Sequence, residues 1–88
     1  MRARKIDQAQ PGIVAALERV GAEVLSLASY GVSCDLLVQH RGKLWLMEVK
    51  NPGPPSSKKL TDMELNLARR FPIAVVTTPA EAMRVIGL

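Results

Sequence analysis

Val32-Ser33-Cys34-Asp35-Leu36-Leu37-Val38-Gln39-His40-Arg41-Gly42-Lys43-Leu44-Trp45-Leu46-Met47-Glu48-Val49-Lys50 forms the middle of the chain. It holds two mostly apolar runs, residues 32 to 40 and 43 to 50, separated by Arg41-Gly42. Such runs suit a pleated, half-buried surface, and a glycine in a two-residue connection supplies the positive φ that tight hairpin turns require. The stretch predicts a β-hairpin at the centre of the chain.

Two carboxylates interrupt these runs. Asp35 stands before Leu36-Leu37-Val38, and Glu48 lies between Leu46-Met47 and Val49. Charged side chains rarely occupy such positions without a partner. If Arg41 and Gly42 form a two-residue turn, His40 faces Lys43, and counting back along both strands sets Asp35 opposite Glu48. Opposed residues have Cβ atoms about 5 Å apart, where like charges repel. A divalent cation turns that repulsion into attraction, and Mg²⁺ takes oxygen ligands at about 2.1 Å while keeping several waters. Lys50, two residues beyond Glu48, shares its face of the strand. Its ammonium can stabilise charge on a phosphorane-like transition state or orient an attacking water. Two carboxylates, a metal and a lysine suit metal-assisted hydrolysis of a phosphodiester. Two alternatives stay open on spacing alone. A longer loop with Gly42 in a bulge moves Asp35 to the other face unless the bulge restores the alternation. Asp35 can also belong to the turn before its strand, with Glu48 and Lys50 weakly paired at an exposed strand end.

Upstream, Asp7 and Gln10 have helix-start spacing, and Ile13, Val14, Leu17 and Val20 recur at helical intervals until Gly21, which predicts a helix over residues 8 to 20. Pro11 falls in its first turn, where a missing N–H costs least. Residues 23 to 28 read as a short strand ending in the turn-like Ser29-Tyr30-Gly31. Downstream, Asn51-Pro52-Gly53-Pro54-Pro55-Ser56-Ser57 reads as a mobile loop. Thr61 and Glu64 have capping-box spacing at the start of a second helix that Pro72 stops. A buried strand over residues 73 to 77 follows. Thr78-Pro79-Ala80-Glu81 then repeats the cap grammar for a short last helix. The order α-β-β-β-α-β-α predicts an α/β domain, a mixed sheet with helices on both faces, over residues 1 to 88.

A chain of 88 residues makes one domain, and with few aromatics its core rests on Leu, Val, Ile, Ala and Met. The formal net charge is +4, and basic residues gather as Arg2, Arg4 and Lys5, as Lys58 and Lys59, and as Arg69 and Arg70. This suits polyanionic partners, although basic side chains also serve solubility. The single cysteine, Cys34, excludes an internal disulfide, and no cysteine or histidine cluster has zinc spacing. A reducing cytoplasm fits. No apolar run approaches the roughly 18 residues of a membrane span.

At these residues the chain resembles the PD-(D/E)xK nuclease superfamily, with its restriction-endonuclease-like core, and more narrowly the small virus-type replication-repair nucleases (VRR-NUC). The likeness runs from Lys5, Asp7 and Ile13-Val14 through Gly31, Asp35-Leu36-Leu37-Val38, Arg41-Gly42 and Leu46-Met47-Glu48-Val49-Lys50. It continues to Leu60-Thr61, residues 73 to 76 and Thr78-Pro79-Ala80-Glu81. The resemblance implies that Asp35, Glu48 and the carbonyl of Val49 bind Mg²⁺ or Mn²⁺, with Lys50 serving water activation and transition-state stabilisation. It implies DNA as substrate, branched DNA in some members, a homodimer, and a place in phage or mobile-element DNA processing.

The chain departs from the pattern in three places. Ser33-Cys34 precede Asp35 where a proline is usual. Gln10 stands where a further glutamate often opens the first helix, and an amide oxygen can ligate a metal but brings no charge. Glu64 stands near the place of a glutamine that faces the site, and capping is its expected role.

Among other residues, Glu18 beside Arg19 reads as solvated, His40 as an exposed turn residue, and Trp45 as pointing away from the Glu48 face toward the core or a dimer contact. Tyr30 can stack on a base. Lys5, Lys58, Lys59, Arg69 and Arg70 are candidates for phosphate contacts, which supply affinity without sequence choice. The different-class alternative is a non-catalytic nucleic-acid-binding protein that keeps the fold and the basic surface.

Overall fold

A computed structural model of the chain describes residues 8–88; Arg2, Arg4, Lys5 and Asp7, named above, lie outside the described residues. In chain order the elements are α1 (Gln10–Arg19), β1 (Glu23–Ser26), β2 (Leu36–His40), β3 (Lys43–Val49), α2 (Asp62–Arg70), β4 (Ile73–Val76) and α3 (Pro79–Val85). Single 3-10 turns occupy Ala28–Tyr30 and Pro55–Lys58. The architecture is α/β: among the described residues, a four-stranded mixed sheet with three α-helices.

The hairpin forms as its turn chemistry dictates. Arg41 and Gly42 have φ of 53° and 80°, the pair of positive values that matches a two-residue turn to the twist of its strands. His40 pairs with Lys43, and the antiparallel ladder runs back to Leu36 opposite Met47. β1 pairs antiparallel with the outer side of β2, and β4 lies parallel to β3, reached through α2. The sheet order is therefore β1-β2-β3-β4.

Alternation along the strands separates two faces. Leu36 and Val38 of β2, Met47 and Val49 of β3 and Val76 of β4 are fully buried against Ile13 and Leu17 of α1 and Ala82 and Ile86 near α3. Trp45 packs beside them. The opposite face carries Glu48, which meets Glu64 of α2. So α1 and α3 cover the apolar face, and α2 stands over the other face at its carboxylate end.

The structure departs from the sequence reading in several elements. β2 begins at Leu36 rather than near residue 32, because residues 33–35 bend. The Cys34 thiol turns inward and donates to the Met47 carbonyl at 3.3 Å, and the Leu27 N–H donates to the Asp35 carbonyl at 2.8 Å. β1 correspondingly ends at Ser26, with Leu27 turning into the 3-10 segment. Ala9, which offers no side-chain cap, is the N-cap of α1. β4 ends at Val76, because the Thr77 N–H donates to Glu81 at 2.7 Å. The segment over residues 51 to 57 holds most of a 3-10 turn, Pro55–Lys58, braced by the Ser57 hydroxyl donating to the Pro54 carbonyl at 2.7 Å. Among the described residues, no helix is long and apolar enough to cross a membrane.

Candidate active site

The end of the sheet beyond Leu36 and Met47 is where charge enters the interior. Asp35, one residue before β2, is 5% exposed, and Glu48, next to last in β3, is 2% exposed. The hairpin register, continued by one residue, brings them side by side. Asp35 belongs to the bend rather than to the strand, and its carboxylate replaces a ladder partner: the Val49 N–H donates to Asp35 Oδ2 at 2.7 Å. That bond ties the carboxylate to the segment bearing Glu48 and Lys50.

Lys50 follows the end of β3, anchored by its N–H donating to the Val76 carbonyl at 3.0 Å. Its ammonium lies 3.0 Å from Glu64 Oε1 and 3.6 Å from Glu48 Oε2. Glu64 comes from the first turn of α2, where the capping box is complete. The Glu64 N–H donates to the Thr61 hydroxyl at 3.2 Å, and the Thr61 N–H donates to Glu64 Oε1 at 2.8 Å. One oxygen of Glu64 thus caps a helix and holds the lysine at once. Asp35, Glu48, Lys50 and Glu64 form one cluster, in which the Lys50 ammonium faces both Glu64 and Glu48.

The electrostatics follow from burial and from this crowding of carboxyl groups. Burial pushes the Glu48 carboxyl up to about 9, and its hydrogen bonds to Glu64 and Asp35, with their like charges, add to the shift. Burial acts the same way on Glu64. The hydrogen bond from protonated Glu48, the Thr61 N–H and the Lys50 ammonium outweigh it and hold Glu64 down to about 2. Burial and the neighbouring carboxyl groups thus favour the neutral form of Glu48. Burial also pushes the adjacent Cys34 thiol up to about 11, which keeps it a neutral donor to the Met47 carbonyl.

The remaining candidates lie elsewhere or play other parts. Gln10 is 5% exposed at the first position of α1, and its amide oxygen has no hydrogen-bond partner among the described residues. Tyr30, 66% exposed, ends the first 3-10 turn. Lys58 and Lys59 are exposed just before α2, and Arg69 and Arg70 are exposed in its last turn, with Arg70 stacked 5.7 Å from the centre of the Phe71 ring. Glu18 is exposed. His40 corrects its expectation: it is 7% exposed, because the register turns it to the core face with Leu36 and Val38.

The sequence reading gave Glu64 the cap and missed its hold on Lys50, for which only the tertiary approach of α2 to β3 carries a signal. It gave Ser33, Met63 and Asn66 no part in a site, although Met63, Asn66, Leu67 and Arg70 repeat at helical spacing along α2.

Among the described residues, no three His, Cys, Asp or Glu side chains are placed to hold a metal ion between them. Glu64 is withheld from such a set by Lys50 and the Thr61 N–H. The donor set left is two buried hard-oxygen carboxylates, and this suits an ion that keeps most of its waters and takes one or two carboxylates, as Mg²⁺ does. No family model matches this sequence, and no curated protein or solved structure matches it either.

Proposed function

We propose that this chain is a metal-dependent endonuclease that hydrolyses DNA phosphodiester bonds, selective for branched or junction DNA. The observation that supports this reading best is the buried pair Asp35 and Glu48 beside Lys50, in a basic chain of net charge +4. Burying carboxyl groups side by side is costly for stability, and a site that works on a cation and a phosphate explains the cost.

Asp35, Glu48 and the backbone carbonyl of Val49 would hold Mg²⁺ or Mn²⁺. Bound there, the ion would supply a Lewis acid for the phosphoryl oxygen and lower the pKa of a coordinated water. The chain's own groups do the rest. The Val49 N–H fixes Asp35 through Oδ2, so that carboxylate is oriented before any ligand arrives. Glu64 aims the Lys50 ammonium toward Glu48 and so toward the position of a scissile phosphate, where its charge opposes the charge developing on the phosphorane. Lys58, Lys59, Arg69 and Arg70 supply phosphate contacts at the surface. Cutting both strands of a junction symmetrically needs two such centres related by a twofold axis, so the working form is a homodimer. Phage or mobile-element DNA processing is the setting this activity suits.

The test is cleavage of linear, forked and four-way DNA by the purified protein with Mg²⁺, Mn²⁺ or EDTA. Metal-dependent cutting of the branched substrates is expected. Binding without cutting under every condition contradicts the reading and supports a non-catalytic nucleic-acid-binding protein in its place.

A further inference from the structure

Between the bend before β2 and the outer face of α2 runs an open groove of about 320 Å³, lined by Val32, Ser33, Met63, Asn66, Leu67 and Arg70. The four helix residues stand at i, i+3, i+4 and i+7, so they form one face of α2. Ser33 is two residues from Asp35, and Met63 is the chain neighbour of Glu64. Both walls of the groove are thus made by the segments that carry the carboxylate cluster. We propose that this groove seats one unpaired nucleotide of the DNA strand being cut, next to the scissile phosphate. The identity of the occupant rests on the nuclease reading above.

The lining has the chemistry of a nucleotide in each part. Val32, Leu67 and Met63 offer apolar surface to the faces of a base, and a thioether packs well on an aromatic ring. Asn66 brings a donor and an acceptor together, as base edges do, and Ser33 adds a hydroxyl. Arg70, at the end of the helical face, brings a guanidinium suited to phosphate and is steadied by its stacking on Phe71. Met63 is 69% exposed, a large apolar side chain standing in water at the groove. A wholly apolar occupant would leave Asn66 and Arg70 desolvated without partners. A nucleotide satisfies both. The volume lies at the small end of the range of about 300 to 1,000 Å³ for small-molecule pockets, the scale of a single nucleotide.

Only an unpaired nucleotide can enter. In a duplex the base faces are stacked and the pairing edge is occupied, so entry requires unstacking and unpairing. Forks, flaps and junctions present unpaired nucleotides at the branch without that cost. The groove therefore gives branch selectivity from within the domain that carries the carboxylate cluster.

The test uses forked DNA carrying 2-aminopurine in the single strand beside the branch, and a fully paired duplex of equal length, each titrated with protein in EDTA. Wild type is compared with Met63→Ala and Asn66→Ala, both exposed positions, and with Leu88→Ala, an exposed apolar residue at the chain end. The expected result is a change in 2-aminopurine fluorescence on binding and a loss of fork affinity of about tenfold in the two groove variants. Duplex affinity and melting temperature should stay unchanged, and Leu88→Ala should behave as wild type. Equal fork affinity in wild type and groove variants overturns the inference, as does an equal loss on duplex, or a variant that shifts the sedimentation of the protein and leaves DNA binding alone. Cleavage of the same fork with Mg²⁺ separates the two claims. Groove-dependent fork binding with no cleavage removes the catalytic reading and keeps the groove; cleavage indifferent to the groove variants does the reverse.

Discussion

Burial, with the carboxyl groups of Glu64 and Asp35 beside it, favours the protonated form of Glu48, and that preference sets how the residue answers substitution. Gln has the shape of protonated Glu and no charge to bury. Glu48→Gln is therefore expected to leave the metal-free melting temperature at pH 7 unchanged or slightly raised. The same change should abolish stabilisation by Mn²⁺, which for the wild type approaches about 2.7 kcal/mol when the ion is at a hundredfold excess over its dissociation constant. A thermal melt of both proteins with and without Mn²⁺ checks this, and a Glu48→Gln protein that still gains with Mn²⁺ would place the ion elsewhere. At this scale the meeting of Asp35, Glu48 and Lys50 was legible in the sequence, since a charge in an apolar run stands out and the hairpin register carries residue 35 to residue 48, even though Asp35 sits in the bend before β2. Glu64 and His40 were read incompletely for one reason: Glu64 meets Lys50 only through the approach of α2, and His40 is buried only by what packs over its strand. Neither neighbour is local in sequence.

Secondary elements show where local chemistry suffices. The Arg41-Gly42 turn fixed the register correctly, although Arg41 is the one described non-glycine residue at positive φ. A left-handed conformation strains an arginine, whereas asparagine adopts it readily. Arg41→Asn is expected to stabilise the fold by about 0.5–1 kcal/mol in urea denaturation, with an unchanged m-value. A loss of stability would contradict the two-residue turn. The start of β2 was not legible, because residues 32 to 35 look extended while the Cys34 thiol and the Asp35 carbonyl bond across to Met47 and Leu27.

Both predicted Thr caps formed, with a variation at α3. There the Glu81 N–H donates to the Thr78 hydroxyl, while the Glu81 carboxylate reaches back to the N–H and hydroxyl of Thr77, 2.7 Å from each. Those bonds hold the Glu81 carboxyl below the usual carboxylate range. A group depressed in the folded state contributes stability above its unfolded pKa, near 4.5, and loses it as pH falls through the lower folded value. Wild type should therefore lose melting temperature more steeply than Glu81→Gln on going from about pH 6 to about pH 3. Parallel curves would mean that the α3 cap contributes nothing through its charge.

At the scale of the whole molecule, the sheet buries one face under α1 and α3 and leaves the other partly open. Leu25, Leu37, Leu46 and Ile73 form a continuous cross-strand row there, of which Leu25 is 44% exposed. The element order and the mixed sheet were legible in the alternation of strand and helix signals; how far α2 reaches over its face was not, because that depends on packing against a polar cluster. The proposed twofold symmetry is tested by sedimentation at working concentration, where a dimer is expected and a monomer contradicts symmetric cutting by a single assembly. If the Asp35, Glu48 and Lys50 cluster breaks phosphodiester bonds with a metal, the rate of Mg²⁺-dependent cleavage of a four-way junction will depend on it, measured for wild type, Glu48→Gln and Lys50→Ala, each shown to melt as a folded protein. Cleavage by wild type that falls about a hundredfold or more in either variant is the result this account requires. Cleavage at equal rates in all three proteins, or in none, contradicts it.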